Sequence, residues 1–176
     1  MVSNTHWPIY SQVLLWIPHS WRHPLPNNSN YMERCLSLEV YLFNWLTWGN
    51  RILTLENLAA RNCNRLLTST YVLYHAASEF VHHLLLLCPV ADCICHFFTQ
   101  VVRLSSPPRS LHDLCGTWRT QIPHSHRGMW NLLSRAITWN IWLEKNTCIF
   151  HDKFSACSPI INIIIYMFVS WITLAP

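Results

Sequence analysis

Acidic residues are scarce in this chain, with only eight Asp and Glu among 176 residues. They stand at Glu33, Glu39, Glu56, Glu79, Asp92, Asp113, Glu144 and Asp152, and no two are adjacent. The paired carboxylates that hold two divalent cations in nucleotidyl transfer are therefore missing. Glycine is scarcer still, at three residues, which excludes a Gly-rich phosphate loop and a collagen-like chain. No Gly-x-Ser-x-Gly nucleophile elbow is present. Charged residues amount to 11%, against about a quarter in an ordinary soluble domain. Residues 1–8 hold no Lys or Arg and the apolar run 13–17 is short, so no secretory signal is expected. These absences point away from catalysis, and no small-molecule substrate is evident.

What remains is an apolar, aromatic chain. Hydrophobic residues make up 51%, and ten are Trp, each of which needs a packed or interfacial home. That composition argues against disorder. Eight Cys and eleven His accompany them. Without a signal sequence these are expected to be thiols of a reducing compartment, cytoplasm or nucleus. Twelve Lys and Arg give a net charge of +4, too mild for a dense nucleic-acid-binding stripe.

Two stretches are lipophilic. Residues 80–102 are interrupted by His82, His83, Pro89, Asp92 and His96. A charge near a bilayer centre costs about 2.5–3.5 kcal/mol, which disfavours a span there. Residues 160–175 carry no charge. At 1.5 Å per residue they reach roughly 24 Å, short of a ~30 Å hydrocarbon core. The expectation is a buried or amphipathic helix. The alternative is a small membrane-associated protein anchored by 160–175.

The pattern along the chain predicts a small, mainly α domain over 38–176, preceded by a flexible arm, residues 1–37, rich in Pro, Asn, Ser and His. Residues 41–48 are apolar and stop at Gly49, the residue expected to take the left-handed turn. Thr54 is the predicted cap of a helix over 55–61, with Asn57 as its capping-box partner. An irregular, knuckle-like segment is expected over about 63–89. Within it a Leu-rich helix over 79–87 is expected, with Pro89 limiting its continuation. Residues 105–108 break the chain, and Ser110 opens a short helix through Trp118. The helical carboxyl-terminal part runs over 110–175. Its strongest element is 127–150, where Trp130, Leu133, Ile137 and Ile141 recur at helical spacing, widened by Leu132, Ala136 and Trp139.

Several motifs stand in order along this frame. Glu79, His83, Cys88 and Pro89 form one. Upstream lie Val40 to Trp45 with Trp48 and Gly49, then Ile52 to Leu58. Downstream lie Leu114 to Trp118, Arg127 to Leu133, and the run Trp139, Ile141, Trp142, Glu144, Lys145, Asn146 followed by Ile149 and Phe150. Over about residues 38–172 the chain resembles the zinc-binding domain at the carboxyl terminus of plant non-LTR (LINE-type) retrotransposon reverse transcriptases. The last run is the most specific match.

The resemblance implies a closed, structural four-ligand zinc site of Cys and His that staples a small loop. His83 and Cys88 fall on two ligand positions. Tyr71 and Tyr74 fall where the family has Cys, and Tyr is a poor zinc ligand beside thiolate and imidazole. Each change is one base transition away from Cys. The chain thus resembles a degenerate copy whose zinc site is incomplete. His75, Cys93 and Cys95 are near enough in sequence to serve as substitute ligands. Cys35, Cys63, Cys115, Cys148 and Cys157 are expected to be buried or free thiols.

The implied ancestral task is to help grip template RNA or DNA, without catalysis. Arg61, Arg65, Arg103 and Arg109 are the candidate phosphate contacts, with aromatic rings available for stacking.

Overall fold

Ser37 opens the first element of the computed structural model, which describes residues 36–61 and 80–174. Its extended backbone lets the hydroxyl accept from Val40 N–H at 3.4 Å, and Glu39 places negative charge in the first turn of α1 (Leu38–Trp48). Val40, Phe43 and Thr47 turn inward. The helix ends as the sequence predicts, but the left-handed residue is Asn50 (φ 51°), not Gly49 (φ −78°). Asn50 N–H donates to Thr47 O at 3.1 Å, and Arg51 N–H donates to Leu46 O at 2.8 Å. This is the paired bonding of a Schellman ending, for which the residue after the cap must be left-handed. Asn tolerates that conformation because its short polar side chain bonds locally.

Thr54 caps α2 (Leu55–Ala60) as expected, its hydroxyl accepting from Asn57 N–H at 3.2 Å. Asn57 does not complete a capping box. Its amide instead donates backward to Asn50 O at 2.9 Å and Ile52 O at 2.8 Å, fixing the turn between α1 and α2.

Beyond residue 79 the chain is helical almost at once. His83–Leu87 is a π-helical turn closed by Cys88 N–H on His83 O at 2.8 Å. The helical run stops at Leu87, short of Pro89 as expected, and Pro89 also starts the next helix, α3 (Pro89–Val102). Proline lacks the N–H that a first helical residue leaves unused, and its fixed φ suits that position. It also drives the preceding residue to extended backbone, and Cys88 sits at φ −69°, ψ 153°. Ala91, Ile94, Cys95 and Phe98 form the buried side of α3, and Arg103 ends it at φ 60°.

Ser110 then accepts from Asp113 N–H at 3.0 Å and opens a helical stretch through the π-helical turn Asp113–Thr117 into α4 (Trp118–Gln121). A 3-10 turn, His124–His126, leads to α5 (Arg127–His151), the longest helix. Asp152, again left-handed at φ 50°, turns the chain toward α6 (Cys157–Leu174).

The predicted broad apolar face of α5 has a clear use: α5 is the axis of the fold. It packs against α1, α3, α4, α6 and both π-helical turns. Trp130, Leu133, Ile137 and Ile141 are buried, as are Leu132 and Ala136, while Trp139 is half-buried against α1. Trp130 satisfies its indole N–H on Leu114 O at 2.8 Å. Each fully buried Leu, Ile or Phe contributes roughly 1.5–3 kcal/mol by leaving water. Facing α5 and α3, Ile160, Ile161, Ile164, Phe168 and Trp171 form the inner stripe of α6. Ile163 and Tyr166 lie on its outer side. No helix among the described residues is long and apolar enough to cross a membrane. No strand occurs among them either, so the fold is mainly α as predicted.

Candidate metal and nucleic-acid site

The expected knuckle divides at residue 80. Tyr71, Tyr74 and His75 lie outside the described residues, as does Arg65. The described part carries His83 and Cys88 at the two ends of the π-helical turn, so their separation is fixed by one backbone hydrogen bond.

The two side chains sit in different surroundings. His83 is half-buried, with its ring centroid 5.7 Å from that of Phe80. Cys88 is fully buried, and its sulfur is occupied: it accepts from Ala91 N–H at 3.3 Å and donates to Leu84 O at 3.5 Å. A thiol in that position caps α3, doing what Ser or Asp does at other helix starts.

The substitute ligands also separate. Cys93 is exposed and Cys95 is buried, on different sides of α3. Burial pushes the Cys95 thiol up to about 12, with the nearby charges of Asp92 and Cys88 acting in the same direction. Metal binding needs the thiolate, so this shift works against Cys95 as a ligand. Burial likewise raises Cys157 to about 12, with the Cys93 thiol acting in the same direction. Among the described residues no three His, Cys, Asp or Glu side chains converge as metal ligands. A closed zinc site needs four; the described donors, one of them a sulfur already holding a helix start, fall short of that set.

The run Trp139 to Asn146 is where the structure concentrates polar side chains inside the core. Glu144 and Lys145 are both buried. Glu144 Oε1 accepts from Ser155 N–H at 2.6 Å and from the Cys148 thiol at 3.7 Å, tying the link between α5 and α6 to α5. Lys145 Nζ donates to Leu53 O at 2.9 Å and lies 4.6 Å from the Trp142 ring centroid. It thereby holds the link between α1 and α2. Phe43 packs on Trp139 edge-on at 5.3 Å and on Trp142 at 5.6 Å. Thr138 Oγ1 donates to Asn44 Oδ1 at 3.2 Å. Charged groups at such depth cost free energy unless they are bonded, and here both are. Sequence reading identified this run by resemblance only; its clamping role depends on partners far away in the chain.

The basic residues divide between two places. Arg61 follows α2 and lines a groove of about 450 Å³ whose floor includes Phe43, Trp139 and Trp142. Arg51 lines the same groove, and Arg61 Nη2 donates to Arg51 O at 3.4 Å. Glu39 lies on its edge. Arg51 escaped the sequence reading because ten residues and a turn separate it from Arg61. Arg103 and Arg109 are exposed and flank the break at 105–108, away from any helix interior.

Compared with protein-family models, with curated proteins and with solved structures, the chain matches none.

Proposed function

We propose that this chain is a non-catalytic remnant of a reverse transcriptase zinc-binding domain, nucleic-acid binding by ancestry and with an impaired zinc site. The observation that carries the reading is the position of the most family-like run. Trp139, Trp142, Glu144 and Lys145 occupy the centre of the helical body and hold both neighbouring links. A run so specific in sequence is expected to be one on which the fold depends. Helices occupy 38–48, 55–60 and 127–151, where the resembling motifs lie.

Nucleic acid, in this reading, meets the edge of the groove carrying Arg51 and Arg61. The forked N–H groups of both guanidiniums suit phosphate oxygens, and exposed Trp45 and Trp48 on α1 supply ring faces. Fluorescence anisotropy with a labelled single-stranded RNA and its DNA counterpart tests this. Binding that weakens as salt rises, with a shallower salt slope in Arg51→Ala/Arg61→Ala, is the expected result. Absence of binding at low salt overturns the nucleic-acid part. Metal analysis of protein purified without chelators tests the zinc part. Less than one zinc per chain is expected, rising in Tyr71→Cys/Tyr74→Cys. One tightly held zinc in the unaltered chain overturns the impaired site.

A further inference from the structure

α1 is apolar on two opposite sides. Val40, Phe43 and Thr47 face the core, and Leu38, Tyr41, Leu42, Trp45 and Trp48 are exposed. At about 100° per residue the exposed set forms one stripe opposite the buried one. Within it, 38, 41, 45 and 48 recur at the three- and four-residue spacing of a helix–helix seam. A helix with apolar residues all round is expected to be covered on both sides. Among the described residues nothing covers this stripe: Leu38 is 71% exposed, and Trp45 and Trp48 are 57% exposed. The groove beside it carries opposite charges at its two ends. Glu39 stands in the first turn of α1, and Arg51 and Arg61 stand past its last turn. The Arg51 stem lies alongside the helix end, 3.5 Å from where a side chain on Gly49 would begin.

We infer that α1 pairs with α1 of a second copy of this chain, antiparallel and across a two-fold axis near Trp45. A two-fold interface joins the same patch on both copies, so each contact occurs twice with the roles exchanged. Glu39 and Arg51 lie six positions before and six positions after Trp45. Antiparallel pairing brings the start of one α1 beside the end of the other. Glu39 of each copy then faces Arg51 of its partner, on the flank where both line the groove. Parallel pairing would instead set Glu39 against Glu39 and Arg51 against Arg51. The surface is thus complementary to itself in one direction only.

The area sets the strength. The stripe holds three aromatic side chains and two leucines, all exposed by roughly half or more. An aromatic side chain buries about 150–250 Å² when fully covered, so the stripe supplies on the order of 600 Å² per copy. Both copies together then bury about 1,200 Å², the lower limit for specific interfaces. The association is therefore reversible and of micromolar strength, with the two rim ion pairs fixing direction more than affinity. Trp45 and Trp48 are also the rings offered to nucleic acid above, so the two uses of this face exclude each other. Self-association does not depend on that reading, and it is measured without nucleic acid.

The test is sedimentation equilibrium of the full chain over a concentration series through the micromolar range, under reducing conditions. The mass should rise from one chain toward two as concentration rises. Trp45→Glu should remain a single chain throughout, with the circular dichroism and melting temperature of the unaltered protein, because the position is exposed. Glu39→Arg and Arg51→Glu should each weaken the dimer roughly three- to tenfold, since each sets like charges together at two symmetric places. Glu39→Arg/Arg51→Glu should recover the affinity to within about twofold, because the exchange rebuilds both pairs with their signs reversed. A single chain's mass at every concentration overturns the inference and leaves the stripe to another occupant. A dimer indifferent to Trp45→Glu, or a double exchange no tighter than either single variant, overturns it as well.

Discussion

Lys145 Nζ, from the centre of α5, donates to the carbonyl of Leu53 at 2.9 Å across 92 positions of sequence. Leu53 lies in the link between α1 and α2, where Asn57 already holds the neighbouring Ile52 carbonyl. The same ammonium lies over the Trp142 ring. A single buried cation therefore joins the first described helical pair to the axis of the fold.

Removing that cation should cost stability. Lys145→Met keeps the length of the stem but leaves the Leu53 carbonyl without its charged donor and removes the contact with the ring. A hydrogen bond to a charged group contributes about 1.5–3 kcal/mol, so a loss of about 2–3 kcal/mol is expected in urea denaturation. A change under about 0.5 kcal/mol would show that the clamp is incidental.

Glu144 should behave asymmetrically. Glu144→Gln keeps an oxygen for Ser155 N–H and is expected to lose about 1 kcal/mol. Glu144→Ala strands that N–H in a poorly hydrated place and should lose about 2–3 kcal/mol. Equal losses in the two variants, measured by the same denaturation, would rule out the hydrogen bond as the cause.

At the end of α1 the two adjacent positions should respond in opposite ways. Gly49 has φ −78°, and an added Cβ would meet only the Arg51 side chain at 3.5 Å. Gly49→Ala is expected to change stability by less than about 0.5 kcal/mol. Asn50 has φ 51°, and the β-branched Asn50→Val should lose about 1–2 kcal/mol. Thermal melts of both variants decide it; a larger loss at Gly49 would restore the glycine to the role the sequence first implied.

Alkali should weaken the fold. Burial raises the thiols of Cys95 and Cys148 to about 12 and that of Cys115 to about 11, above the ordinary value of 9.0. In the unfolded chain these groups lose their protons near 9, while the folded chain keeps them. The folded state then binds more protons, so this contribution is full below about pH 8.5 and falls as pH rises toward 11–12. Denaturation midpoints measured from pH 8 to 11 should decline, and more gently in Cys95→Ala, which removes the most buried of the three. An unchanged slope in that variant would exclude Cys95 as a source.

Local chemistry made much of this fold legible in advance. The apolar repeat of Trp130, Leu133, Ile137 and Ile141 announced α5. Thr54 and Ser110 announced helix starts, because a cap acts on backbone three residues away. Where a residue serves two local rules, the sequence left part of the outcome open. Pro89 ends the run at Leu87 as expected and also suits a helix that begins at it, and the extended backbone of Cys88 makes both true at once. Gly49 and Asn50 both accept a left-handed turn, and the register of the last hydrogen bonds of α1 assigned it to Asn50.

By itself, then, the order of residues determined where α1, α2, α5 and α6 form and which of their faces are apolar, since those depend on neighbours within a few positions. Tertiary packing alone decided what the buried polar groups do. Lys145 meets Leu53 and Thr138 meets Asn44 only because segments distant in the chain are pressed together. A buried charge or thiol takes its chemistry from whichever group shares its low-dielectric surroundings, and spacing along the chain does not encode that neighbour.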